Sequence, residues 1–94
     1  MTTQVTLKFT GEFWTRAGTG SVDFSFEGNS LRDLLRAAFT QYAVREILLQ
    51  DNDQFVFRSG VMVNGRSAKW LGGLSAPIRD GDEVILMRPS LGAM

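Results

Sequence analysis

The feature that most restricts the fold is a single amphipathic stretch in the middle of the chain. Its apolar residues recur at the spacing i, i+3, i+4, i+7, i+8 and i+11, and they are Leu31, Leu34, Leu35, Ala38, Phe39 and Tyr42. This spacing places them in one stripe along an α-helix, with Arg32, Arg36 and Gln41 on the opposite face. A chain with one such helix can cover only one face of a sheet.

The ends of this helix are also marked in the sequence. Ser30 followed by Asp33 is typical of an N-cap with a carboxylate in the first turn, so the helix is predicted to begin at Leu31. Residues 43–50 can extend it by a further turn or two, and residues 51–53, Asp-Asn-Asp, end it.

Two strands are predicted before the helix. Apolar and polar residues alternate twice there, with the apolar positions at Val5, Leu7 and Phe9 and then at Val22, Phe24 and Phe26. A period of two residues puts each apolar set on one face of a strand. Residues 12–20, which contain glycine and threonine, are predicted to be a loop, so the two strands form an antiparallel hairpin.

Further strands are predicted after the helix. Residues 61–63 form a short apolar strand, the Asn64-Gly65 turn follows, and residues 66–69 return as a fourth strand. Residues 83–87 are apolar on both faces, with Val84 and Leu86 on one and Ile85 and Met87 on the other. Such a run indicates a central strand, or one whose second face is covered by a partner.

Two aromatic segments have a less regular pattern. Residues 55–57 are interpreted as a short strand or as an extended approach to the next strand. In the glycine-interrupted linker that follows the fourth strand, Trp70, Leu71 and Leu74 are expected to close one end of the core. Trp14 is expected to pack in the core or at its edge.

This order of elements fits an α+β architecture, the ubiquitin-like β-grasp fold. Its mixed sheet of four to five strands has the first and last long strands parallel at the centre, and the main helix packs on one face. The 94 residues suffice for one such domain. We expect the domain to span residues 1–88 and residues 89–94, which lack a core-forming pattern, to be a flexible C-terminal tail.

The composition argues against an autonomous enzyme. The chain has no cysteine and no histidine, so it lacks a thiolate nucleophile, the commonest general base and the usual zinc ligands. Asp80 and Asp82 flank a turn glycine, which favours a role in stabilising the turn over a role as metal ligands. We expect no cofactor or metal to be bound directly.

The charge and hydropathy patterns argue against some partners. Ten acidic and ten basic residues cancel, which leaves no field of one sign to attract nucleic acid or anionic lipid. The first ten residues alternate instead of forming a signal peptide, and no apolar run approaches the roughly 20 residues of a membrane-spanning helix. We therefore expect a cytoplasmic protein that binds neither nucleic acid nor membranes.

The last third of the chain resembles the ubiquitin-like sulfur carriers of the MoaD/ThiS family, and in particular the small subunit of molybdopterin synthase. The resemblance is carried by Val-Asn-Gly-Arg at residues 63–66, Leu-Gly-Gly-Leu at 71–74 and Pro-Ile-Arg-Asp-Gly-Asp-Glu-Val-Ile-Leu-Met at 77–87. With Pro89 placed on the last proline of the family, Gly92 and Ala93 correspond to its C-terminal Gly-Gly. Met94 is then one residue too many.

The resemblance implies a carrier and not a catalyst. An adenylating, E1-like enzyme would use ATP to activate the C-terminal carboxylate, and sulfur would replace the adenylate to give a thiocarboxylate. A molybdopterin synthase large subunit would then be a second partner. Three explanations of the ending remain open: removal of Met94, a divergent or regulatory copy that binds carrier partners without being activated, or a β-grasp interaction module with an unrelated task. The alternative function is a non-catalytic binding or regulatory subunit of an enzyme complex.

The candidate partner-binding residues lie near the predicted tail: Met62, Ile85, Met87, Arg88, Pro89 and Leu91. Met62, Ile85 and Met87 form either an exposed patch, for which methionine is well suited, or an apolar layer beneath residues 55–57. Arg88 either pairs with an acidic groove of the partner or is an ordinary solvated charge. Gly92 and Ala93 would carry the activated carboxylate.

Overall fold

The structure is a computed structural model that describes residues 1–88. Its strands are β1 (Thr2–Phe9), β2 (Ser21–Glu27), β3 (Gly60–Val63), β4 (Arg66–Ser67) and β5 (Glu83–Met87). Its α-helices are α1 (Glu12–Ala17), α2 (Leu31–Gln41) and α3 (Arg45–Leu48). Two 3₁₀ helices, Ala68–Trp70 and Gly73–Ser75, follow β4. None of the helices within residues 1–88 has the length and hydrophobicity needed to cross a membrane.

The five strands form one mixed sheet in the order β2-β1-β5-β3-β4. β1 and β5 are parallel at the centre, and the β1–β2, β3–β4 and β3–β5 pairs are antiparallel. This arrangement confirms the predicted ubiquitin-like β-grasp fold. β5 lies between β1 and β3 in this sheet, as its apolar run predicted.

The core lies between one face of the sheet and α2. Val84 and Leu86 are fully buried there, and four members of the predicted helix stripe, Leu31, Leu34, Leu35 and Ala38, are also buried. Full burial of a side chain of this size contributes about 1.5–3 kcal/mol. The helical and strand periodicities therefore identified the core correctly.

The predicted N-cap of α2 is confirmed. The hydroxyl of Ser30 accepts a hydrogen bond from the Asp33 N–H at 3.2 Å, and the Asp33 carboxylate accepts one from the Asn29 N–H at 3.2 Å. Hydrogen bonds with the Ser30 side chain and from the Asn29 N–H hold the pKa of Asp33 below its ordinary value. The ionised carboxylate thus belongs to the structure of the helix start.

The prediction of a loop at residues 12–20 is wrong for residues 12–17, which form α1. Gly18 ends this helix in the left-handed conformation, with φ 76° and ψ 8°. Phe13 is fully buried and joins the main core, whereas Trp14 is 60% exposed. Adjacent helical residues point about 100° apart, so one aromatic ring reaches the core and the next one points outwards.

The predicted extension of α2 is also wrong. The helix ends at Gln41, because Tyr42 has the extended dihedrals φ −127° and ψ 136°, and α3 is a separate helix. Phe55 forms an isolated bridge with Leu49, so residues 55–57 are not a strand.

The predictions for β4 and the linker that follows it are confirmed only in part. The fourth strand is only two residues long, because residues 68–70 coil into a 3₁₀ helix. Trp70 is 80% exposed, so its predicted role as a plug is wrong. Leu71 and Leu74 are partly buried against the core, as predicted.

Candidate functional site

The C-terminal end of β5 is tied to the end of β1. The two strands run in parallel register, with Phe9 opposite Leu86. Both the N–H and the hydroxyl of Thr10 donate to the Leu86 carbonyl oxygen, each at 3.1 Å. The chain therefore leaves the sheet beside the turn that connects β1 to α1.

Gly11 and Arg88 are in close contact at this turn. A Cβ atom on residue 11 would overlap the carbonyl oxygen of Arg88. Gly11 also has φ 57° and ψ −130°, a backbone conformation that residues with a side chain rarely adopt. Glycine thus allows the exit of β5 to lie directly against the turn.

A chain of ion pairs surrounds the same exit. The Arg88 guanidinium lies 3.2 Å from the Glu12 carboxylate, and Glu12 lies 3.5 Å from Arg16 one helical turn away. Arg16 in turn pairs with Glu46 of α3. The pairs connect the end of β5 to α1 and α3. The side chain of Arg88 is 27% exposed and pairs within its own domain, while its predicted role towards an acidic groove of a partner stays a prediction.

The second part of the candidate site is the face of the sheet that α2 does not cover, which we call the open face. Ile85 lies opposite Met62 on β3 and opposite Lys8 on β1. Ile85 and Met62 are half-buried, and Met87 is 37% exposed. The predicted division of β5 into a core face and a second apolar face is therefore observed.

The two aromatic side chains of residues 55–57 have different environments. Phe55 packs against the buried core, on the other face of the sheet, and Phe57 is 81% exposed. That Met62, Ile85 and Met87 form a partner-binding patch stays a prediction. A salt bridge from Lys8 to Glu83, 2.9 Å long, borders the patch.

At the other end of the sheet, Asp80 and Asp82 accept hydrogen bonds that stabilise the turn before β5. The Asp80 carboxylate accepts a hydrogen bond from the Gln4 N–H, and the Asp82 carboxylate accepts from the Arg79 N–H and the Asn64 side chain, all at 2.9 Å. A cavity of about 510 Å³ lies beside Gln4 and Asp80. At roughly 3.3 Å per residue, Gln4 lies about 17 Å along β1 from Phe9, so this cavity is remote from the exit of β5.

The remaining predicted site residues, Pro89, Leu91, Gly92 and Ala93, lie outside the described residues. The contacts of Gly11, Glu12 and Arg16 with the exit were missed by sequence reasoning. A usable signal did exist, since Glu12 and Arg16 have the i, i+4 spacing of a helical ion pair directly after a strand.

The comparisons with known proteins identify the fold. No protein-family model and no curated protein matches the sequence. Among solved structures, small archaeal modifier protein 1 from Methanosarcina acetivorans is similar with a TM-score of 0.82 and 22% identity, covering 98% of each chain. A chain of the Amycolatopsis orientalis BexX/CysO complex has a TM-score of 0.79 and 22% identity, covering 94% of this chain and 98% of that one. A putative molybdopterin converting factor, subunit 1, from Pyrococcus furiosus has a TM-score of 0.73 and 24% identity, covering 94% of this chain and 99% of that one.

Proposed function

We propose that this chain is a ubiquitin-like sulfur carrier whose C-terminal carboxylate is activated by a separate adenylating enzyme. The observation that carries the proposal is the anchored exit of β5, where Arg88 is held by Gly11 and Glu12 and residues 89–94 follow. Because Arg88 is fixed to the domain, the peptide that follows it starts from a defined position. Six extended residues reach at most about 20 Å, enough to enter a partner's active site.

The structural neighbours support the same proposal at the level of the fold. They include a protein named as a modifier and a chain of a two-protein complex, and the present chain covers nearly the full length of both. A fold hosts many functions, so the tail chemistry needs its own test.

The proposed chemistry has two steps, both in the active site of the partner. First, a carboxylate oxygen of the tail attacks the α-phosphorus of ATP, pyrophosphate leaves, and an acyl adenylate forms. Then sulfide attacks the carbonyl carbon, a C–S bond forms, the C–O bond to AMP breaks, and the sulfide proton goes to solvent. The β-grasp domain presents the tail, while the partner supplies the catalytic groups and binds ATP.

The activated end is proposed to be Gly92-Ala93, after removal of Met94. An uncut Met94 would place the carboxylate one residue, roughly 3.3–3.6 Å of extended chain, beyond the position of the terminal glycine in the family that the chain resembles. Ala93 adds only a methyl group there, which restricts the backbone less than any larger side chain would.

The second partner is proposed to be a molybdopterin synthase large subunit. Support comes from the resemblance of residues 61–87 to the small subunit and from the neighbour described as a putative molybdopterin converting factor, subunit 1. The open face around Ile85 and Met62 is the proposed contact surface, because these apolar side chains lie outside the core.

Intact-mass measurement tests the carrier proposal. The full chain, a variant that ends at Ala93 and a variant that ends at Arg88 are each incubated with an adenylating enzyme of the sulfur-carrier type, ATP and sulfide. We expect the variant that ends at Ala93 to exchange one oxygen for one sulfur, and the variant that ends at Arg88 to stay unchanged. Reactions without ATP should show no exchange. A lack of sulfur gain in both the full chain and the variant ending at Ala93 would contradict carriage.

A second candidate function is a non-catalytic binding subunit of an enzyme complex. The observation in its favour is that Ala93 and Met94 follow Gly92, where the resembled family has a terminal glycine. Deletion of residues 91–94 separates the two functions. Co-purification with partners that survives the deletion supports a binding subunit, and complete loss of co-purification opposes it.

A further inference from the structure

A cleft between α2 and α3 brings three arginine side chains together. Arg32 and Arg36 lie one turn apart on α2, Arg45 is the first residue of α3, and all three line a cavity of about 250 Å³. We call this cavity the arginine cleft. It lies in the helical layer, whereas Met62 and Ile85 lie on the open face of the sheet.

The floor of the arginine cleft is apolar. Its remaining lining includes Leu35, Phe39, Leu49 and Leu74. Leu35 and Leu49 are buried, with 1% and 6% exposure, and Phe39 and Leu74 are partly buried against the core. The cleft therefore combines a fixed apolar base with cationic side chains at its rim.

The charges of the cleft are only partly balanced. Asp53 is the one acidic residue that lines it, and its carboxylate lies 3.0 Å from the guanidinium of Arg32. Arg45 has a longer pair of 3.7 Å with Asp51, whose side chain is fully exposed. Within residues 1–88, Arg36 forms no ion pair shorter than 4.0 Å, and its charge also favours the ionised form of Asp33 on the same helix. Because exposed pairs contribute little, both Arg36 and Arg45 can accept a new carboxylate at low cost.

We propose that the arginine cleft binds an acidic segment of a partner protein that inserts an apolar side chain between Arg36 and Arg45. Pockets for cofactors and drug-sized ligands begin at about 300 Å³, so a cavity of about 250 Å³ suits one or two side chains better than a nucleotide. Guanidinium groups bind carboxylates through paired hydrogen bonds, and arginine is enriched at protein interfaces. The inference goes beyond the proposed function, because it does not involve the tail.

Amide chemical-shift mapping of the full chain tests the proposal with defined probes. The first probe is a short synthetic peptide in which leucine and phenylalanine are flanked by glutamates. The second has the same sequence with every glutamate replaced by glutamine, and the third is inorganic phosphate. We expect the glutamate peptide to shift the amides of residues 32–39 and 45–49, with weaker binding as salt is added.

Two variants and a matched control make the test specific. Arg36→Gln and Arg45→Gln should each weaken binding of the glutamate peptide about two- to fivefold, the loss expected for one exposed ion pair. Both side chains are exposed, so the thermal unfolding of the variants should stay close to that of the parent chain. Arg66→Gln, which removes an exposed arginine of β4, should leave binding unchanged.

Several results would overturn the proposal. They are the absence of localised shifts with the glutamate peptide, equal binding of the glutamine peptide, and an equal loss of affinity in Arg66→Gln. Phosphate that produces the same shifts and displaces the peptide would instead identify a small-anion site. None of these results depends on whether the tail carries sulfur.

Discussion

The carbonyl oxygen of Arg88 occupies the space that a Cβ atom on Gly11 would need. Two residues that are far apart in the sequence thus fix where the chain leaves the sheet. The contact makes the turn between β1 and α1 part of the end of the sheet at which β5 exits. It also makes this region testable by single substitutions.

Gly11→Ala should destabilise the domain by about 2–3 kcal/mol, since the methyl group would overlap Arg88 and the backbone conformation is strained for alanine. Gly18→Ala is the matched control, because Gly18 also has positive φ but nothing within 4 Å of its Cβ position. It should cost only about 1 kcal/mol. Urea unfolding measures both, and equal losses would show that the contact with Arg88 is unimportant.

The ion pair between Glu12 and Arg88 should be modest in strength. A double-mutant cycle with Glu12→Gln and Arg88→Gln should give a coupling free energy of about 0.2–1 kcal/mol, because both side chains are partly exposed. The coupling should decrease as salt is added. A value indistinguishable from zero at low salt would mean that the backbone contact alone anchors the exit.

Neighbouring residues of β5 should respond differently to truncation. Leu86→Ala should cost about 2–5 kcal/mol, because this side chain is fully buried. Ile85→Ala should cost much less, since Ile85 is half-buried on the open face. Chemical denaturation of the two variants measures the difference, and equally large losses would argue against a partner surface on this face.

The open face should be needed for binding of the proposed partners. The double variant Met62→Ser and Ile85→Ser should weaken binding of a molybdopterin synthase large subunit about tenfold or more, as expected for central apolar contacts of an interface. Gln41→Ala, an exposed position on α2, serves as the control. Titration calorimetry gives the affinities. Unchanged affinity of the double variant would move the interface away from this face.

The start of α2 should make stability depend on pH. Folding lowers the pKa of Asp33 through its hydrogen bonds, so the contribution of this carboxylate is complete above its ordinary value of 3.8. It is lost as the pH falls through the lower pKa of the folded state. The difference in unfolding free energy between the parent chain and Asp33→Asn should therefore be largest near neutral pH and shrink in acid. A difference that does not change with pH would contradict this assignment.

Much of the fold could be predicted because buried apolar residues recur in the sequence with the period of the helix or strand that contains them. The stripe that begins at Leu31 and the alternation at Val5, Leu7 and Phe9 each report one element's contact with the core. Similarly, Ser30 and Asp33 marked the helix start through a hydrogen bond that spans only three residues. Where α1 was missed, six residues were too few to show a clear helical period.

The sequence alone determined the part of the core between α2 and the long strands, the order of the main elements and the two apolar faces of β5, since these follow from patterns within single segments. Only the tertiary structure decided that Arg88 meets Gly11 and Glu12 and that Arg45 joins Arg32 and Arg36 in one cleft. Thr10 and Leu86, which are 76 positions apart, show the reason. Contacts between distant segments depend on how whole elements pack and on the register of the strands, and the local period of hydrophobic residues carries no information about either.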